Sequence, residues 1–200
     1  MREFVKVRGK KFYKGDEEIL FKGIGIGSWL NLEHFMMGLP GNDFQIRQSF
    51  TDVYGKKGAD RFFDTLVKEF VSEADFCFMK ELGINLVRVP FNYRLFMDDE
   101  KPGEWRLTGY DYFDYLFRLA EQYEIYVLPE LHAVPGGQNP DWHSDNGTGY
   151  TLLWQSGRKS LACAETNPVA ISSPSPVSIR SGMIKGSFKI SYPSRYTSSR

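Results

Sequence analysis

The sequence predicts an α/β fold, with a mostly parallel sheet covered by helices. Three apolar runs of strand length, at residues 19–26, 84–89 and 125–132, are separated by stretches whose apolar residues recur at helical spacing. The resulting order is β–α–β–α–β. Strands buried on both faces read as nearly continuous apolar runs, whereas an antiparallel sheet with one wet face alternates. An open doubly wound sheet and a closed (β/α)8 barrel both begin this way, and periodicity alone does not separate them.

Residues 1–18 read as a β-hairpin, because residues 4–7 and 11–13 are short alternating runs split by Gly9 and followed by Gly15 and Asp16. Residues 19–26 form a buried-type strand ending in glycines. Residues 38–60, which contain Gly and Asp, are expected to be a long loop. A helix over 61–70 carries Phe62, Phe63, Leu66, Val67 and Phe70 on one stripe. A second helix runs over 72–82, with Ser72 as N-cap and Gly83 as its stop. The strand at 84–89 is expected to end at Pro90. Thr108-Gly109-Tyr110-Asp111 has the form of a capping box. It opens a helix bearing Tyr112, Phe113, Leu116, Leu119, Ala120 and Tyr123, and the third strand follows.

Composition narrows the function. Residues 1–154 hold 18 Lys and Arg against 24 Asp and Glu, while residues 155–200 hold seven against one, Glu165. An acidic body argues against a nucleic-acid partner, since phosphate binding needs clustered cations. Cys77 and Cys163 have no metal or redox spacing. No apolar run reaches membrane-span length, so no membrane partner is expected. The first residues show no signal peptide, which gives a cytoplasmic expectation. From about Gln155 the chain turns rich in Ser and Pro and loses apolar periodicity. Residues 155–200 therefore read as an irregular tail, either disordered or out of the original reading frame.

Three polar clusters follow the three predicted strands, where (β/α)8 enzymes keep their functional groups. In the first, Glu33 is a hydrogen-bond acceptor for sugar hydroxyls and Trp29 a stacking plane. The bland alternative makes Trp29 a core anchor. In the second, Arg88 shares a strand face with Ile84 and Leu86. If that face is interior, the guanidinium needs a carboxylate, and Glu130 on the next strand is a candidate. The third, residues 131–143, places His132 at a strand end, with Gln138, Asn139 and Trp142 on a loop tightened by Pro135, Gly136 and Gly137. The glycines of residues 23–27 do not make a dinucleotide fingerprint, because Leu30 stands where the third glycine is needed. His132, Asp141, His143 and Asp145 lack the spacing of a zinc helix or an EF-hand.

These clusters resemble glycoside hydrolase family 5, especially its exo-β-1,3-glucanase-like and cellulase-like members, over residues 19–154. Gly23-Ile24-Gly25-Ile26-Gly27-Ser28-Trp29-Leu30-Asn31-Leu32-Glu33 is similar to the family's first-strand motif. Leu82-Gly83-Ile84-Asn85-Leu86-Val87-Arg88-Val89-Pro90 resembles its second, with Arg88 at the active-site arginine. Leu131-His132-Ala133-Val134-Pro135-Gly136-Gly137-Gln138-Asn139 resembles its third, with His132 at the substrate-binding histidine. The resemblance implies the first three units of a (β/α)8 TIM barrel, no cofactor or metal, and a β-linked oligo- or polysaccharide as partner. It also implies a retaining double displacement by two glutamates. The family's acid/base lies in an Asn-Glu-Pro motif that this chain does not contain, and Glu165 does not take that role. The chain is therefore expected to be inactive and poorly soluble alone. A non-catalytic carbohydrate-binding protein is the alternative reading.

Overall fold

The structure, a computed structural model, describes residues 4–101 and 104–155. The expectations for residues 156–200, including Glu165, lie outside the described residues.

The N-terminal segment is a three-stranded antiparallel meander rather than a two-stranded hairpin. Its strands are β1 (Val5–Arg8), β2 (Lys11–Lys14) and β3 (Glu17–Ile19). Each turn is a two-residue loop that begins with a glycine at positive φ, Gly9 at 62° and Gly15 at 61°. That conformation matches the twist of the flanking strands and is open to glycine without steric cost. The second turn returns the chain into a third strand, Glu17–Ile19, which the apolar run at 19–26 had masked.

A parallel sheet of order β4-β5-β6 forms the body, from β4 (Gly23–Gly25), β5 (Leu86–Asn92) and β6 (Tyr126–Ala133). Between them lie α1 (His34–Met37), α2 (Asp43–Phe70), α3 (Glu73–Glu81) and α4 (Thr108–Gln122); α5 (Leu152–Gln155) follows the sheet. On one sheet face Val87, Val89, Phe91 and Val127 pack against Val67, Phe76, Met79, Phe113 and Leu116 from the helices. The opposite face carries Arg88, Glu130 and His132, beside Gly23 and Gly25, which pair with Leu86 and Arg88. β4 is exposed along its length, contrary to expectation. It is an edge strand of two glycines around Ile24, which is 41% exposed, and nothing among the described residues covers it.

Three elements depart from the sequence pattern for identifiable reasons. The segment expected to be a loop at 38–60 is helical from Asp43. Asn42 Oδ1 accepts the Gln45 N–H at 2.9 Å and Gln45 Oε1 accepts the Asn42 N–H at 3.1 Å, a reciprocal cap. Gly55, at φ 70° and ψ 161°, then breaks α2 into two arms. β5 runs through Pro90 to Asn92. The missing N–H of Pro90 falls between the bonds Ile26 N–H to Arg88 O and Asn92 N–H to Leu30 O, where the neighbouring chain turns away. α4 is capped by Leu107, without a side-chain bond, and Thr108 is already inside the helix. Ser72 does cap α3, and the Asp75 carboxylate accepts both its N–H and its hydroxyl at 2.7 Å. No helix among the described residues is long and apolar enough to cross a membrane.

Candidate functional site

The C-terminal ends of the three parallel strands gather one cluster of polar side chains. After β4 the chain makes a tight excursion in which Ser28 holds φ at 59°, an uncommon value for a residue with a side chain. The turn is closed reciprocally: the Glu33 N–H donates to Ser28 Oγ at 3.1 Å and the Ser28 N–H to Glu33 Oε1 at 3.3 Å. Gly27 makes room for this, since a Cβ there would stand 2.9 Å from Glu33 Oε1. Glu33 is thereby fixed at the end of the turn after β4.

Arg88 and Glu130 form the centre. Arg88 Nε donates to Glu130 Oε2, and His132 Nδ1 lies 3.1 Å from Glu130 Oε1 and 3.5 Å from an Arg88 terminal nitrogen. Glu130 is thus the carboxylate that the sequence required for Arg88. Burial pushes the Glu130 carboxyl up, but the bonds from Arg88 and His132 and the charge of Arg88 outweigh it and leave the group below the usual carboxylate range. The same contact, led by the hydrogen bond to Glu130, raises Arg88. His132 reaches this position through a bulge. The ladder pairs Phe91 with Leu131 and then Asn92 with Ala133, so His132 is the extra residue of β6. Bulges re-aim side chains beside functional sites, and no sequence signal marked this one.

The loop after β6 is braced from within. The Gln138 amide donates to His132 O, and Gly136 and Gly137 take φ of 83° and 68°. Asn139 Nδ2 meets His143 Nε2 at 2.8 Å, while its Oδ1 accepts the Asp141 N–H at 3.0 Å. Asn139 therefore orients His143, whose ring lies 5.5 Å from that of His132. Trp142 stands edge-to-face with His34 at 5.1 Å and Phe35 at 5.4 Å, half-buried beside an open hollow. Trp29 is a correction. It is 1% exposed, and its indole N–H donates to Val67 O at 2.8 Å, so it presents no face to a ligand and anchors α2 to the sheet instead.

Sequence reasoning gave no role to a buried network beneath the cluster. Asp145 Oδ1 accepts the Phe44 N–H at 2.8 Å; its Oδ2 accepts from Asn92 Nδ2 at 2.7 Å and from Arg94. Asn92 Nδ2 also donates to Asn31 Oδ1 at 3.2 Å. Burial, then the nearby Asp43, push the Asp145 carboxyl up against the opposing pull of Arg94. The Asp145 side chain is buried, and no group of three His, Cys, Asp or Glu among the described residues is placed to hold a metal.

Chemically, the strand-end cluster offers guanidinium and imidazole donors and a fixed carboxylate acceptor. No protein-family model matches the chain. A β-xylosidase from Phanerodontia chrysosporium is 41% identical over 153 residues, covering 76% of this chain and 32% of that protein. Glucan 1,3-beta-glucosidase 1 from Schizosaccharomyces pombe is 31% identical over 145 residues, covering 67% and 34%. Among solved structures, a rutinosidase from Aspergillus niger superposes with a TM-score of 0.50 at 15% identity, over 72% of this chain and 43% of that one. AoRut superposes with a TM-score of 0.53 at 14% identity, again over 72% and 43%. These two share the fold, which is α/β. The chain spans about a third of the length of the curated relatives it matches.

Proposed function

We infer that this chain, whose homologues are a β-xylosidase and glucan 1,3-β-glucosidases, is the N-terminal part of a family 5 glycoside hydrolase. The segment after Ile19, up to residue 154, is the first three β/α units of a TIM barrel, set after the meander β1–β3. The protein to which they belong hydrolyses the glycosidic bond of β-glucan or a related β-glucoside with retention of configuration. The observation that carries this is the meeting of Arg88, Glu130 and His132 at the C-terminal ends of adjacent parallel strands. Such ends are where barrel enzymes bind and transform substrate.

In this reading the 200 residues supply recognition and leave bond cleavage to groups elsewhere. Glu33 accepts hydrogen bonds from ring hydroxyls, and Arg88 and His132 donate to or orient oxygens around the reacting sugar. Asn139 acts through His143, and Trp142 supplies an aromatic face. Retaining cleavage needs two carboxyl groups about 5 Å apart, one attacking the anomeric carbon and one protonating the departing oxygen. Glu130 does not serve as either, because Arg88 and His132 occupy both its oxygens and hold it ionised.

The test compares the purified 200-residue chain with a longer form carrying the family's two glutamates, using an aryl β-glucoside. The longer form is expected to release β-configured sugar first, as followed by proton NMR, and the 200 residues alone to show no turnover. Turnover by the 200 residues alone, or release of the α-anomer first, would overturn the reading.

A further inference from the structure

We propose that Asn92 is a positioning residue for the strand-end cluster. It holds the bulge that aims His132 and sets the turn after β4 against the loop after β6, without itself touching a ligand. The proposal rests on the glycosidase reading and adds what keeps its binding groups in register.

Asn92 ends β5, the middle strand of the sheet, and is 2% exposed. β4 and β6 do not pair with each other, so the strand between them is placed to relay position from one loop to the other. The Asn92 amide nitrogen donates in two directions. It reaches Asn31 Oδ1 at 3.2 Å, in the turn after β4, and Asp145 Oδ2 at 2.7 Å, in the loop after β6. Its Oδ1 accepts the Arg94 N–H at 3.1 Å, and its own backbone N–H donates to Leu30 O at 3.0 Å. Asn31 carries the link onward, its amide nitrogen lying 3.5 Å from His143 O. Both hydrogens of the Asn92 amide are thus spent inside the protein, and its effect on a ligand runs through its partners.

The backbone of Asn92 stands where the ladder changes register. Phe91 pairs with Leu131 and Asn92 with Ala133, which leaves His132 as the extra residue. Anchoring Asn92 to three loops therefore anchors the bulge beside it. Packing alone does not call for an amide at this place, since burying one is costly unless it is fully bonded. A satisfied buried amide instead fixes a single arrangement of the groups it joins.

The test is calorimetric titration of the 200-residue chain with methyl β-glucoside, at a temperature where each variant is shown by circular dichroism to be folded. Asn92→Ala is expected to weaken binding about tenfold, the worth of one well-placed hydrogen bond. Asn31→Ala cuts the same bridge at its far end and is expected to weaken binding too, which keeps the question answerable if Asn92→Ala does not fold. Val89 lies earlier in the same strand, fully buried in the core. Val89→Ala is expected to lower the melting temperature yet leave affinity within about twofold, because it removes packing and no part of the bridge. Unchanged affinity in the folded Asn92 and Asn31 variants, or an equal loss in Val89→Ala, would overturn the positioning role and spare the glycosidase reading. Failure of the unsubstituted chain to bind the sugar would defeat both.

Discussion

Asp145→Ala is expected to lower the unfolding free energy by about 3–5 kcal/mol, the cost of removing one partner from a buried ion pair. The Asp145 side chain has no solvent exposure and bonds three separate parts of the fold. These are the first turn of α2 through the Phe44 N–H, the end of β5 through Asn92, and the following turn through Arg94. Its raised carboxyl means that burying the charge is itself costly. The loss on deletion therefore comes from what remains: the Phe44 N–H without an acceptor, and Arg94 and Asn92 each short of one, holding only to Asp99 and Asn31. Asp145 also sits at φ 50°, in the left-handed region, where alanine pays a further penalty that Asp and Asn largely escape. Asp145→Asn is not expected to rescue stability, because an amide nitrogen placed at Oδ2 would face two other donors. Urea unfolding of both variants checks this, and a loss under about 1 kcal/mol in each would contradict it.

Arg88→Leu is expected to reduce kcat/KM of the active, longer protein by about a hundredfold or more, in the range seen when one positioned electrostatic donor is lost. Leucine removes the guanidinium that faces Glu130 and His132 at once. Arg88→Lys is expected to recover little, because a point ammonium does not reproduce a planar fork of donors. A pH signature separates this role from general damage. The folded Glu130 carboxyl lies below its ordinary value. The stability it contributes is therefore present above the unfolded value of about 4.3 and lost as pH falls through the folded one. Arg88→Leu is expected to flatten that acid limb. A variant with near-normal kcat/KM and an unchanged acid limb would show that the ion pair is ornamental.

What the sequence disclosed depended on how local the signal was. The stripe of α4, the Ser72–Asp75 cap and the apolar β5 and β6 are set by neighbours a few residues away, and each was readable. The first arm of α2 was not, because Gly55, Gly58 and a run of polar residues mimic a loop while its reciprocal cap hides in Asn42 and Gln45. Pro90 looked like a strand end because its tolerance depends on where a chain some 60 residues away turns aside. In the site, the position of Arg88 and the Arg88–Glu130 pairing followed from alternation along β5 and β6, whereas the bulge that sets His132 did not. Trp29 was misassigned to substrate because an indole serves a core and a sugar equally well, and only its bond to Val67 O decides. Asp145 was weighed only within a metal-ligand set, because its partners come from α2, β5 and the turn after it.

The most direct measurement is a nitrogen-15 NMR titration of the 200-residue chain with methyl β-glucoside, following the Arg88 Nε–H and the His132 imidazole together. Both signals should move along one saturation curve with a single dissociation constant, and the Glu33→Gln variant should weaken that curve for both. Signals that stay still at saturating sugar, or that follow two unrelated curves, would mean these groups do not share a ligand.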